Sequence, residues 1–203
     1  MSEFKLAIIG ECMAEISGRV LGSMQQSFGG DTLNTAIYLK TLLPDTGTVS
    51  FVSAMGNDAL STAIINRWKN AGVDTSLVLI DPDRQVGLYM IENDESGERT
   101  FQYWRNDSAA KYLLQHHQIA SVIHSLSEYQ GIFLSGISLA ILSDDDKYKL
   151  IEQLKVLQQS GAQIIFDGNY RPQLWTDKNS AQKFYNLMYN IADLALMTFD
   201  DEE

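Results

Sequence analysis

Five short apolar runs punctuate the chain: Leu6 to Ile9, Val49 to Ala54, Gly131 to Ser135, Gln163 to Asp167 and Leu194 to Thr198. Each is too short for a stable helix and apolar at consecutive positions, the pattern of strands buried on both faces of a parallel sheet. Between them the spacing turns helical. The segment 33–43 carries Leu33, Ala36, Ile37, Leu39 and Leu43, and the segment 59–71 carries Leu60, Ile64, Ile65 and Trp68. Ser143-Asp-Asp-Asp146 reads as a capped start to a helix running through Leu150, Leu154 and Leu157 and closed by Gly161. Alternating strands and helices predict a three-layer α/β fold with a mostly parallel central sheet.

One region breaks the rhythm. The strand-like runs 86–92 and 99–105, joined by Asn93-Asp-Glu-Ser-Gly-Glu98, predict an antiparallel hairpin. Phe101, Tyr103 and Arg105 share one face of its second strand; Thr100, Gln102 and Trp104 share the other. Aromatic residues on both faces predict a ribbon covered on both sides, as a flap over a ligand that also packs on a partner subunit would be. The plainer alternative is an edge ribbon on the main sheet.

Composition narrows the partners. The 203 residues suffice for one α/β domain and hold 45% apolar residues. The net charge of −11 is a poor footprint for nucleic acid or an anionic membrane surface. No apolar run approaches the roughly 20 residues that span a bilayer, and the N-terminus lacks a signal-like pattern, so a cytoplasmic protein is expected. Cys12 is the only cysteine, which excludes an internal disulfide and a cysteine zinc cluster. His116, His117 and His124 lie in a polar stretch and are expected at the surface.

The chemistry concentrates where strands end. Ile164 to Phe166 gives way abruptly to Asp167-Gly-Asn169-Tyr-Arg171-Pro-Gln-Leu-Trp175, and the carboxyl ends of parallel strands are where α/β folds bind ligands. Gly29-Gly30-Asp31-Thr32-Leu33-Asn34 opens the first long helix. Its glycines permit a close approach, Asp31 or Thr32 can cap the helix, and Asn34 offers a two-way amide. A glycine turn into a capped helix explains the same residues without a ligand. Glu11 and Glu15, after the first strand, suit the hydroxyls of a ligand or plain solvation equally. No Gly-x4-Gly-Lys-Ser/Thr loop and no Gly-x-Gly-x-x-Gly after a strand occurs.

Taken together, Asp-x-Asn-x-Arg at 167–171, Gly-Gly-x-x-x-Asn at 29–34, Gly56-Asn-Asp58 and the passage 10–15 resemble, in order, the ribokinase-like (PfkB) carbohydrate kinases. Ser61 departs from that pattern, where a glycine is usual. The resemblance implies a ribokinase-like α/β domain across 1–203, with lid strands inserted at about 12–20 and 86–107. Within the family, Tyr89 on the first lid strand, Tyr-x-Arg at Tyr103 and Arg105 on the second, and Arg171 resemble the group acting on 2-dehydro-3-deoxygluconate. Two guanidinium forks suit a carboxylate.

The resemblance further implies transfer of the γ-phosphoryl of ATP, with Mg2+, to the C6 hydroxyl of that sugar acid, as in Entner-Doudoroff catabolism. Gly30, Asp31 and Asn34 would hold hydroxyls; Tyr89, Tyr103 and Arg105 would come from the lid; Asn169 and Arg171 would lie between sugar and phosphates. Asp201 would serve the nucleotide, in Thr198-x-x-Asp201 where the family has Asn-x-x-Glu. A homodimer or larger homo-oligomer through the lid is expected.

The Gly-Ala-Gly-Asp segment that supplies the family's general base is absent from the 203 residues, and the catalytic aspartate is expected beyond Glu203. The last residues, through Glu203, read as the start of a helix that does not follow. The chain is therefore expected to be part of a longer protein and inactive alone. A PfkB kinase for a neutral sugar or nucleoside, and an inactive sugar-acid binding module, are the alternatives.

Overall fold

Side chains alternate between the two faces of a strand, and the first strand, β1 (Phe4–Ile9), shows what that does to the core. Leu6 and Ile8 join one apolar cluster with Leu33, Ala36, Phe51 and Trp68. Ala7 and Ile9 join a second with Leu134, Leu150, Phe166 and Phe184. A strand apolar on both faces needs a layer on each, and the computed structural model, which describes residues 4–43, 47–93 and 99–198, has both.

Along the chain follow β2 (Met13–Gly18), β3 (Met24–Gly29), α1 (Asp31–Leu42), β4 (Gly47–Gly56), α2 (Ala59–Asn70), β5 (Val78–Asp81), β6 (Gly87–Asn93) and β7 (Arg99–Trp104). After a 3-10 segment (Ala109–Gln115) come α3 (Ile119–Ser125), β8 (Gly131–Ser135), α4 (Gly136–Ala140), α5 (Asp144–Gln159), β9 (Gln163–Asp167), α6 (Lys178–Tyr189) and β10 (Leu194–Leu196). Six parallel strands form the main sheet in the order β10-β9-β8-β1-β4-β5. Helices α1 and α2 cover one face through Leu33, Ala36, Ile64 and Trp68, with Trp68 edge-on to Phe51 at 5.2 Å. Helices α3, α5 and α6 cover the other through Val122, Leu150, Leu154 and Phe184.

All five apolar runs are strands, two of them to the residue; only the last ends early, at Leu196. The helix start read at the C-terminus falls on residues 199–203, through Glu203, which lie outside the described residues. Ser143 caps α5 by accepting from the Asp146 N–H, and Gly161 takes a left-handed φ of 106° just beyond it. Asp58 caps α2 in the same way, and the Ser61 hydroxyl donates to it while accepting from Gly56 N. Serine thus fits where the family pattern has glycine.

The hairpin is present, with Tyr89 opposite Tyr103, but it is neither a lone ribbon nor an edge of the main sheet. It is half of a separate sheet in the order β3-β2-β6-β7, whose central pair, β2 and β6, is parallel. Among the described residues, every residue of β7 is exposed. Residues 94–98 of its connection lie outside the described residues. His116 also departs from expectation: it is buried, with Nε2 against the Ile80 carbonyl oxygen at 3.1 Å, whereas His117 and His124 are exposed.

The start of α5 holds a heavily bonded buried carboxylate. Asp146 is 1% exposed and accepts from Gln115 at 2.7 Å, Ser143 at 2.8 Å and Lys149 at 2.9 Å. Burial alone would raise its pKa, but the hydrogen bonds from Gln115, Lys149 and Ser143 outweigh it and hold the group below the ordinary value. A depressed folded value stabilises above the unfolded pKa of about 3.9 and loses that stability as pH falls through the folded one. Asp146→Asn should therefore cost about 1.5–3 kcal/mol at neutral pH. In urea unfolding against pH, the gap to the wild type should close below about pH 4. A gap constant down to strongly acid pH would contradict this account.

Candidate active site

Parallel strands leave all their carboxyl ends on one edge of the sheet, and the chain reverses its winding between β1 and β8. Three segments meet there: 10–12 after β1, 29–31 into α1, and 168–171 after β9. The lid sheet rises from the same edge, since β2 and β3 follow β1 and the β6–β7 pair follows β5.

Glu11 lies under the lid and is 3% exposed. One carboxylate oxygen accepts from Arg105 Nη2 in an ion pair, the other from the Ser108 hydroxyl. Burial pushes Glu11 above the ordinary carboxylate range, against the opposing pull of Arg105 and Ser108. Solvation, one of the two roles open to it from sequence, is thus ruled out. Glu15 accepts from the Tyr89 hydroxyl, and burial followed by that bond raises the Tyr89 phenol above its ordinary pKa. The Tyr89 and Tyr103 rings lie 5.9 Å apart, with Phe101 stacked on Tyr103.

Gly30 is the cap residue of α1 and has no side chain to offer, so neither Asp31 nor Thr32 caps the helix as the sequence suggested. Gly30 is required for another reason: a Cβ there would strike the Glu11 carbonyl oxygen. Asp31 is the first helical residue, and its Oδ2 accepts from Asn169 Nδ2 at 2.8 Å. The Thr32 hydroxyl is buried with no hydrogen-bond partner among the described residues, and Asn34 is exposed one turn further on. Asn169 has a φ of 39°, in the left-handed region where asparagine is tolerated best after glycine. The loop it belongs to is pinned from α6 by Tyr185, whose hydroxyl donates to the Gly168 carbonyl oxygen at 2.6 Å.

A cleft of about 210 Å3 opens between lid and sheet, lined by Tyr103, Arg105, Asn106, Ile137, Arg171 and Leu174 among others. Of the residues singled out from sequence, Tyr103, Arg105 and Arg171 meet in this cleft, and Asp31 and Asn169 meet each other. Tyr89 is turned onto Glu15. Arg171 is exposed, its Nη1 donating to the Tyr170 carbonyl oxygen at 2.9 Å. Asp201, expected to serve the nucleotide, and Glu203, beyond which the general base is expected, both lie outside the described residues. Ser108 escaped the sequence reading because a lone serine after a strand carries no signal. Among the described residues no group of three His, Cys, Asp or Glu side chains could hold a metal ion, so none is assigned to magnesium. No helix there is long and apolar enough to cross a membrane.

Comparison with known proteins adds to this geometry. The family model described as pfkB family carbohydrate kinase matches residues 3–203. The 2-dehydro-3-deoxygluconokinase of Haemophilus influenzae is 48% identical over 200 residues, covering 98% of this chain and 64% of that protein. The Escherichia coli K12 protein of the same name is 44% identical with the same coverage. The chain thus spans about 64% of the length of these curated relatives. Among solved structures, a 2-dehydro-3-deoxygluconokinase from Thermotoga maritima superposes with a TM-score of 0.83 at 24% identity, covering 98% of this chain and 60% of that one. A Xylella fastidiosa fructokinase with bound ATP superposes at 0.79 and 23% identity, covering 96% and 57%. At these identities the structures bear on the fold, which they share.

The Asn169 arrangement makes a direct prediction. Asn169→Gly removes the bond to Asp31 but keeps the left-handed backbone easy, and should cost about 1 kcal/mol. Asn169→Ala adds roughly 1 kcal/mol or more of left-handed strain. Denaturant unfolding should rank wild type above Gly above Ala; an Ala variant as stable as the Gly variant would show that the backbone here is unstrained.

Proposed function

The chain belongs to the pfkB family of carbohydrate kinases, and from that membership we propose that its protein phosphorylates 2-dehydro-3-deoxy-D-gluconate. The γ-phosphoryl of ATP passes to the C6 hydroxyl, giving the 6-phosphate. The observation that carries this reading is the cleft in which Tyr103, Arg105 and Arg171 meet. Two guanidinium groups beside a tyrosine suit a planar carboxylate, and a neutral sugar has no use for the pair. The names of the relatives at 42–48% identity support the same substrate.

In this reading Gly30, Asp31 and Asn34 hold sugar hydroxyls, with Asn169 fixing the Asp31 carboxylate. Asn169 and Arg171 stand between sugar and phosphates, and Asp201 serves the nucleotide. The lid sheet closes on the sugar and excludes water, which otherwise competes as acceptor. ATP supplies the phosphoryl group and Mg2+ the neutralising charge. No Gly-Ala-Gly-Asp segment occurs among the 203 residues, so the reading puts the general base in a segment beyond Glu203, and residues 1–203 alone are expected to be inactive. A cytoplasmic location belongs to the same reading.

One observation favours a second reading, a kinase of a neutral sugar: the charge of Arg105 is already matched by Glu11, which leaves Arg171 to supply the net positive charge. The two are separated by kinetics of a protein with the relatives' full length. Arg105→Ala and Arg171→Ala should each raise KM for the sugar acid about ten- to a hundredfold while KM for ATP stays put. Unchanged sugar-acid KM in both variants, or equal turnover of fructose, would move the assignment to the neutral sugar.

The lid also bears on assembly. Phe101, Tyr103 and Trp104 are 45%, 48% and 55% exposed, on a strand whose outer edge is unpaired among the described residues. Such an edge invites pairing or cover. Two copies packed lid to lid would cover it, and light scattering at micromolar concentration should return a dimer or a multiple of one. A strict monomer would contradict the packing.

A further inference from the structure

Among the described residues, Arg105 reaches the cleft with most of its hydrogen-bonding capacity unspent. Its side chain is nine-tenths buried, Nη2 donates to Glu11, and Nε has no partner among the described residues. A guanidinium carries five N–H donors in a rigid fork, so fixing one nitrogen fixes the direction of the rest. Without such a hold, a long side chain at the end of a lid strand would have several rotamers, and ordering it would weaken each binding event.

The hold is itself firmly built. Glu11 sits in the turn from β1 into the lid. Ser108, in the segment that leaves β7, donates to Oε1. Gly87, at the start of β6, approaches so closely that a Cβ there would stand 3.0 Å from Oε1, and Gly30 backs onto the Glu11 carbonyl. One residue therefore touches every connection by which the chain enters or leaves the lid sheet.

We infer that Glu11 is a positioning residue for substrate recognition: it orients the Arg105 guanidinium so that its unspent donors meet the carboxylate of a sugar acid in the cleft. Because Glu11 also offsets the charge of Arg105, recognition at this end is by hydrogen-bond geometry, and net attraction comes from Arg171. The inference deepens the sugar-acid reading and rests on it.

Two substitutions at one position test it in the full-length kinase. Glu11→Ala frees the guanidinium. Glutamine can still accept from Arg105 through its oxygen and donate to the Ser108 oxygen through its amide, so Glu11→Gln keeps the orientation and removes the charge. Glu11→Ala should raise KM for the sugar acid about tenfold or more, and Glu11→Gln should restore most of that loss, to within about threefold of wild type. KM for ATP should not move in either variant, and the inhibition constant of the corresponding neutral sugar amide, which offers one acceptor oxygen in place of two, should move less than the sugar-acid KM. Equal losses in the two variants would show that the charge of Glu11, not its hold on Arg105, matters, and would overturn the inference. So would losses shared by sugar acid, amide and ATP, which mark a merely structural role. Should Glu11→Ala fail to fold, Ser108→Ala loosens the same clamp: a rise of about threefold confined to the sugar acid supports the inference, and no change overturns it. Arg105→Ala separates the two levels. If it and Arg171→Ala both leave sugar-acid KM unchanged, the sugar-acid reading itself falls; if Arg105→Ala alone has no effect, or raises KM while Glu11→Ala does not, only the inference about Glu11 falls.

Discussion

Two parallel strands cannot be joined by a tight turn, because the chain must travel back along the sheet before it can run forward again. That requirement organises this molecule. Each return path carries at least one helix, two of them after an excursion into the lid, each helix needs an apolar face beneath it, and β1, β4, β8 and β9 supply one on both sides. The same requirement delivers every strand's carboxyl end to one edge, where the loops that follow the strands bring together residues far apart in sequence. Burial of apolar side chains stabilises the sheet, and the position of the site is a by-product of the connections.

The lid obeys a different balance. Its outer strands β3 and β7 are exposed along most of their length, while β2 is buried only at its start, through Met13 and Ala14. What fastens it is concentrated at its base, in the ion pair of Glu11 with Arg105 and the bond from Ser108. Burying two charges is costly unless each is paired and hydrogen-bonded, and removing one partner from such a pair typically costs about 3–5 kcal/mol. A sheet held mainly at its base keeps its place with its outer strands exposed, which leaves surface available to a ligand.

How far the chain could be read follows from this contrast. The main-sheet strands were legible because burial on both faces writes an unbroken apolar run, as in Gly131 to Ser135. Strand β3, Met-Gln-Gln-Ser-Phe-Gly, writes none, since it is exposed along most of its length. Strand β5 is only four residues long. Helix α6 was legible in principle: Ala181, Phe184, Tyr185 and Met188 recur at helical spacing behind a capping Asp177. In the site, local pattern placed Tyr103 and Arg105 on one strand face, and resemblance suggested what they face. The pairing of Arg105 with Glu11 had no local trace, because the residues are 94 apart and nothing near Glu11 marks it as buried. The Gly30 turn misled for a related reason. Asp31 looks like a cap, but its carboxylate is claimed by Asn169 from the other half of the chain.

That bond between Asp31 and Asn169 spans 138 residues. Drawing together points so distant along a flexible chain carries a closure entropy that grows with the logarithm of the separation, and nothing local repays it beforehand. The two residues become neighbours only once β8 and β9 have been laid against β1. The clamp on Arg105 has the same character, closing a loop of 94 residues. The order of events in folding is thereby constrained: the sheet can grow without the site, but the site cannot exist without the sheet. A ligand bound there therefore senses whether the strands on both sides of β1 have been added, and its affinity reports on the completeness of the fold.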